Sequence, residues 1–225
     1  MVESHFVIGV DLGQARDPTA ICVIEQTLTT DLGRRDGVTF QHPLVEALAL
    51  RHLERPQLGT PYPDVVRRIV ELTHSEALGG RCTVVPDATG VGRPVIDMLR
   101  EAELDAPLVP VVIIPGDKQS ERDGYHHVPK RDLVAALAIA LQRREIAIAH
   151  NLPLSKLLLA EAMNFKMKIT ASGNDTYEAW RSGQHDDLVL AVALACWQAR
   201  RRRKEIKFGY QNAGPLILGG MRYRN

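Results

Sequence analysis

The sequence predicts one α/β domain built on a mixed sheet, an antiparallel meander followed by parallel crossover strands, with helices flanking it. Three observations carry this expectation. Three apolar runs of strand length open the chain. A helical pattern and short β-branched runs then alternate, and helical patterns dominate the second half. A length of 225 residues suits one sizeable α/β domain, alone or with a small appendage. The expected division is a domain over residues 1–205 and a C-terminal tail over 206–225.

Residues 6–10 form an apolar run that ends in Asp11, Leu12 and Gly13, and residues 20–24 form a second run after Asp17 and Pro18. These read as two strands joined by a polar turn, with a third strand over 44–53. Pro61 and Pro63 open a helix with Val65, Val66, Ile69, Val70 and Leu72 on its apolar face, closed by Gly79 and Gly80. A β-branched strand over 82–85 is stopped by Pro86 and followed by Asp87 and by Gly90 and Gly92, which read as the tight turn out of the strand. A helix over 94–104 and a wholly apolar, buried strand over 111–114 come next. Residues 115–128 read as a long polar loop. Beyond it lie a helix over 133–141 with Lys130, Arg131 and Asp132 in its first turn, and a short strand over 145–149. A helix over 154–163, a strand over 165–169, a polar stretch over 170–183 and a final helix over 186–203 complete the reading.

Hydrophobic residues make up 45% and charged residues 24%, which excludes disordered and fibrous classes. A net charge of +1 does not announce a nucleic-acid binder, so the distribution of charge matters more. Arg200, Arg201, Arg202, Arg203 and Lys204 form a basic run that reads either as a nucleic-acid footprint or as a solvated helix end complementing the helix dipole. Aromatic residues are 5%, too sparse for a base-stacking platform. Cys22, Cys82 and Cys196 lack metal or redox spacing and read as buried free thiols in a reducing compartment. With no apolar run long enough to span a bilayer, the expectation is a soluble cytoplasmic protein with no membrane partner.

The chemistry concentrates in carboxylates. Asp11 closes the first strand, Asp87 closes a later one, and Asp186 and Asp187 open the last helix. Strand ends and helix starts along one sheet edge are where side chains converge. Carboxylates brought together repel unless protons or cations neutralise them, and hard divalent ions with oxygen ligands do so. Two such ions can activate a water and stabilise the leaving oxygen of a phosphodiester. Cys and His at zinc spacing are absent, so two Mg²⁺ or Mn²⁺ ions are the expected cofactors. Adjacent helical side chains diverge by about 100°, so Asp186 and Asp187 cannot point identically into one site.

The segment Gly9-Val-Asp-Leu-Gly13, followed by Asp17-Pro-Thr-Ala-Ile-Cys-Val23, resembles the first hairpin of ribonuclease H-like phage terminase nucleases. Val85-Pro-Asp-Ala-Thr-Gly-Val-Gly92 resembles their second acidic strand, and His185-Asp-Asp-Leu-Val-Leu-Ala191 the start of their closing helix. Val128-Pro-Lys-Arg-Asp-Leu133 is similar to their lysine-bearing helix start. The resemblance runs in order over nearly the whole chain. It implies a ribonuclease H-like fold and a two-metal endonuclease acting on double-stranded DNA. Asp11, Asp87 and one or both of Asp186 and Asp187 would be its catalytic ligands. Lys130, Lys118, Arg122 and His185 are candidate DNA contacts. No G-x-x-x-x-G-K-[ST] loop is present, so packaging by this chain alone is unsupported; it reads as either a detached nuclease domain or a stand-alone relative, with a separate ATPase motor as an expected partner. A small terminase subunit or portal protein is a further expected partner, and the cytoplasm would be a bacterial host's if the gene is a phage's. The alternatives are a Holliday-junction resolvase of the same fold, an actin- or sugar-kinase-like ATP-binding domain, and a non-enzymatic DNA-binding or assembly module.

Overall fold

The computed structural model describes residues 2–13, 17–38, 40, 42–90, 92–172 and 186–212. Five strands form the main sheet: β1 (Val2–Asp11), β2 (Ala20–Thr30), β3 (Leu44–Glu54), β4 (Cys82–Pro86) and β8 (Ile146–Ile148). Their order is β4-β1-β2-β3-β8. β2 runs antiparallel to both β1 and β3, as adjacent runs joined directly must, whereas β4 lies parallel to β1 and β8 parallel to β3. The expected meander with crossovers is therefore the observed sheet.

Strand periodicity sorts the core into two layers. Phe6, Ile8 and Val10 point to one face, where they meet Val65 and Ile69 of α1 (Tyr62–Thr73) and Ile96 and Leu99 of α2 (Gly92–Glu101). Val7 and Val85 face the other side. There α3 (Lys130–Gln142), α4 (Ser155–Ser172) and α5 (Asp187–Asn212) contribute Leu133, Leu158 and the apolar start of α5. α5 lies against the sheet and against α3 and α4, which is why every residue from Leu188 to Ala199 is buried. A helix covered on several sides needs no polar stripe. It continues past residue 205 to Asn212.

Two segments differ from the sequence expectation. Residues 165–169 alternate apolar and polar like a strand, yet their backbone continues α4. Asn164 between the two segments is too weak a stop to end the helix, and extending an existing helix adds a hydrogen bond per residue, whereas a new strand needs a partner. Residues 115–128 are not a plain loop. β6 (Ser120–Arg122) and β7 (Tyr125–Pro129) form a hairpin across Asp123 and Gly124, both at positive φ. That is the backbone an Asp-Gly hairpin turn requires. β7 also pairs with β5 (Val111–Ile114), so β5 belongs to a second, three-stranded sheet ordered β5-β7-β6. Val111 is buried, but Val112, Ile113 and Ile114 are only half-buried, in contrast to the wholly buried strand expected there.

The arginine run at the end of α5 is spent inside the protein. Arg202 donates to Gln26 and pairs with Glu3, Arg203 pairs with Glu46 and donates to the Leu44 carbonyl, and Arg201 pairs with Glu205. The Arg202 and Arg203 contacts pin the helix to β2 and to the starts of β1 and β3, whereas the Arg201–Glu205 pair stays on the helix itself. Cys22, Cys82 and Cys196 are free and buried. Among the described residues no helix is long and apolar enough to cross a membrane.

Candidate functional site

β1 and β4 are parallel neighbours in the register Val10↔Pro86, so the next positions, Asp11 and Asp87, leave the sheet side by side at one edge. Both follow the face of Val7 and Val85, the face covered by α5. Asp87 is held in place: its amide donates to the Val10 carbonyl at 2.8 Å, and its Oδ1 accepts from the Thr89 amide at 2.8 Å. The Thr89 hydroxyl in turn accepts from the Ile113 amide. The turn after β4 is thus locked by its own side chains, and Asp87 is 9% exposed.

Gly9 brings α5 over this edge. A Cβ built there would lie 2.1 Å from the Ala191 carbonyl oxygen, so the helix backbone rests directly on β1 where a side chain is missing. Asp187 precedes Ala191 by about one helical turn, roughly 5–6 Å along the axis. Asp11 follows Gly9 by two strand positions, roughly 6–7 Å along β1. The close contact therefore sets Asp187 above Asp11. Asp186 stands just ahead of the helix, its carbonyl accepting from Leu190 in the first turn.

The electrostatics record this crowding. Burial pushes the Asp11 carboxyl well above the usual carboxylate range, and the charges of Asp87, Asp187, Asp186 and Asp17 push it further. Four carboxylates from three separate parts of the chain act on one carboxyl. Among the described residues, no three His, Cys, Asp or Glu groups are drawn together closely enough to enclose a single ion as they stand. The donor set itself is all carboxylate, the chemistry that hard divalent cations take. On donor type and charge the residues fit Mg²⁺ or Mn²⁺.

Lys130, at the start of α3, lines a small apolar void with Val189 and Leu190 and so lies beside the first turn of α5. Lys118 and Arg122 are exposed on the neighbouring β5–β7 segment, Arg122 next to Asp123 at 3.3 Å. That segment is tied to the start of α3, where Arg131 pairs with Asp117 at 2.5 Å and Gln119 donates to Asp132. His185 lies outside the described residues.

Three residues at this edge were given no role by sequence reasoning. Asp17, in the loop between β1 and β2, adds to the field on Asp11. Arg55 follows β3, which is parallel to β1, and so emerges at the same edge as Asp11. Its Nη2 lies 2.5 Å from Glu161 of α4 and 3.3 Å from Asp187. The strand-end argument that selected Asp11 and Asp87 applies equally to Arg55, whereas no local signal marks Glu161 in mid-helix. Arg55 also lines an open cleft of about 280 Å³ with Glu54, Thr60, Asp64 and Arg68.

No protein-family profile matches the chain. It is 29% identical over 190 residues to the terminase large subunit of Thermus phage G20c, a match covering 84% of this chain and 31% of that protein. The terminase large subunit of Thermus virus P23-45 matches at the same identity and coverage. The chain thus spans about a third of the length of the curated relatives it matches. Among solved structures, the large terminase nuclease from thermophilic phage G20c superposes with a TM-score of 0.51 at 22% identity, over 86% of this chain and 81% of that one. That likeness speaks for the fold, which is the ribonuclease H-like mixed α/β sheet expected from the sequence.

Proposed function

Since the chain resembles about a third of terminase large subunits in sequence and shares the fold of a terminase nuclease, we propose that it is a terminase-like nuclease, a metal-dependent endonuclease that cleaves double-stranded DNA. The observation that carries this reading is the field on Asp11, where burial and Asp87, Asp187, Asp186 and Asp17 all disfavour ionisation. A folded protein that gathers carboxylates against their mutual repulsion has a use for cations at that edge.

In this reading Asp11, Asp87 and one or both of Asp186 and Asp187 hold two divalent ions, Mg²⁺ or Mn²⁺. When bound, the ions would polarise a water and neutralise charge on the phosphodiester. The protein supplies the geometry. The Asx turn at Asp87 fixes one carboxylate, and the Gly9 contact fixes the helix that carries Asp187. Lys130, beside the first turn of α5, has the charge to meet a DNA phosphate, and Lys118 and Arg122 extend positive charge along the adjoining segment. His185 completes the proposed set of DNA contacts. As the matched relatives are about three times longer, an ATPase motor, a small terminase subunit and a portal protein are proposed partners in genome processing.

The test is cleavage of plasmid DNA by the purified chain with Mn²⁺, with and without chelator. Nicked and linear products that vanish with chelator are expected. Asp87→Asn and Asp11→Asn should each lower the rate by roughly 10²–10³-fold or more, the scale of losing one preorganised electrostatic group. Unchanged cleavage in chelator, or full activity in either variant, would remove the carboxylates from the chemistry.

A further inference from the structure

Arg55 is a guanidinium placed where cations are wanted. Its side chain is 17% exposed, lying between Glu161 at 6% and Asp187 at 7%. One nitrogen, Nη2, donates a hydrogen bond to Glu161 Oε1 at 2.5 Å and lies 3.3 Å from Asp187 Oδ2, an ion pair without a hydrogen bond. Among the described residues Arg55 Nε and Glu161 Oε2 have no hydrogen-bond partner, so Glu161 is compensated through this one short contact. The distances rank the two acids: Glu161 anchors the guanidinium, and Asp187 shares it at longer range.

Such an arrangement is a poor stabilising device, because desolvating three charged groups offsets most of what their attraction returns. Its electrostatic consequence at the site is larger. The Arg55–Glu161 pair is neutral as a unit, so Asp187 keeps the formal charge it would have alone, yet the positive end of the pair faces it. A divalent cation approaching Asp187 meets that positive end at close range. Arg55 also opens onto the cleft beside Glu54 and Arg68, so it links that cleft to Asp187.

Building on the nuclease reading, we propose that Arg55 is a positioning residue that sets the affinity of the carboxylate edge for divalent cations, with Glu161 as its anchor. Substituting Arg55 removes the opposing positive charge and leaves Glu161 uncompensated, which strengthens cation binding. Substituting Glu161 frees Arg55 to pair fully with Asp187, which weakens it. Substituting both removes a neutral pair, which leaves affinity close to that of the parent chain. A role confined to tying α4 and α5 to β3 would weaken binding in both single variants.

The experiment is calorimetric titration of Mn²⁺ alone into the 225-residue chain at pH 8, for the parent, R55Q, E161Q, R55Q/E161Q and R55K. R55Q should bind about fivefold or more tightly, and E161Q about fivefold or more weakly, as expected for a unit charge a few ångströms from a divalent ion. The double variant and R55K should stay within about threefold of the parent, because each keeps the net charge of the trio. Should R55Q fail to fold, R55Q/E161Q decides the matter: affinity close to the parent's supports the proposal, and weakening like that of E161Q overturns it. Equal affinities throughout, or weakening in both single variants, would overturn the proposal. A parent chain that binds no Mn²⁺ removes the nuclease reading as well. A parent that binds, with variants that do not diverge, removes this inference alone.

Discussion

The two ends of α5 treat charge in opposite ways. At its C-terminal end, Arg202 and Arg203 meet Glu3, Glu46 and Gln26, so positive groups on the helix face negative and polar groups on the sheet. At its N-terminal end, Asp186, Asp187 and Asp87 crowd like charge upon Asp11, and Arg55, near Asp187, is held more closely by Glu161. The same helix, packed on the same strand, is neutralised at one end and frustrated at the other. Burying unpaired or repelling charge costs free energy, so a fold carries it where something outside the fold uses it. The neutralised end explains how the helix is held, and the frustrated end where it works.

Gly9 joins the two ends, and breaking it should have the largest effect. Gly9→Val places a branched side chain against the Ala191 carbonyl, backbone that cannot swing aside. A destabilisation of about 3 kcal/mol or more is expected, at the upper end of overpacking costs, and cleavage should fall because Asp187 moves off Asp11. A melting temperature equal to that of the parent would show that α5 does not rest on β1 as described. Next in size is Arg203→Met, which leaves Glu46, whose side chain is fully buried, without its guanidinium. Gln26 still donates to Glu46, so a loss of about 1–3 kcal/mol is expected rather than the full cost of a bare buried charge. Adding Glu46→Gln should restore most of it in a double-mutant cycle; additive losses would deny the pairing.

The smallest effect has the opposite sign. Because the Asp11 carboxyl is pushed up in the folded state, ionised Asp11 opposes folding at neutral pH. That penalty is present above the folded-state value and disappears once pH falls below the ordinary carboxylate range. In chelator, Asp11→Asn should therefore melt a few degrees above the parent at pH 7.5, at roughly 2–4 °C per kcal/mol for a chain of this size. The gap should close as pH falls towards 4. A variant that melts lower at pH 7.5 would contradict the crowding, even if it is inactive.

Much of the fold was legible because its signals are local. The runs before Asp11 and Asp87 are β-branched and bounded by turn residues, so both strands and the acids at their ends could be read directly. The Asp123-Gly124 turn was equally local, but the flanking strands are three and five residues long and polar in part, too little for periodicity to reveal. Residues 165–169 misled for the converse reason: their alternation is strand-like, but Asn164 alone did not end the helix before them.

By itself, then, the sequence determined the order of strands and helices outside residues 115–128 and 165–169, the mixed sheet, and which aspartates stand at element ends, because backbone preference and hydrophobic period act over a few residues. Only the tertiary structure decided that Arg55 and Glu161 join Asp187, that the arginine run of α5 is consumed by Glu3 and Glu46, and that Gly9 is the contact beneath the helix. Those pairings link residues from about one hundred to nearly two hundred positions apart. Charge and shape complementarity between distant segments have no period to read, and they exist only once packing has brought the surfaces together.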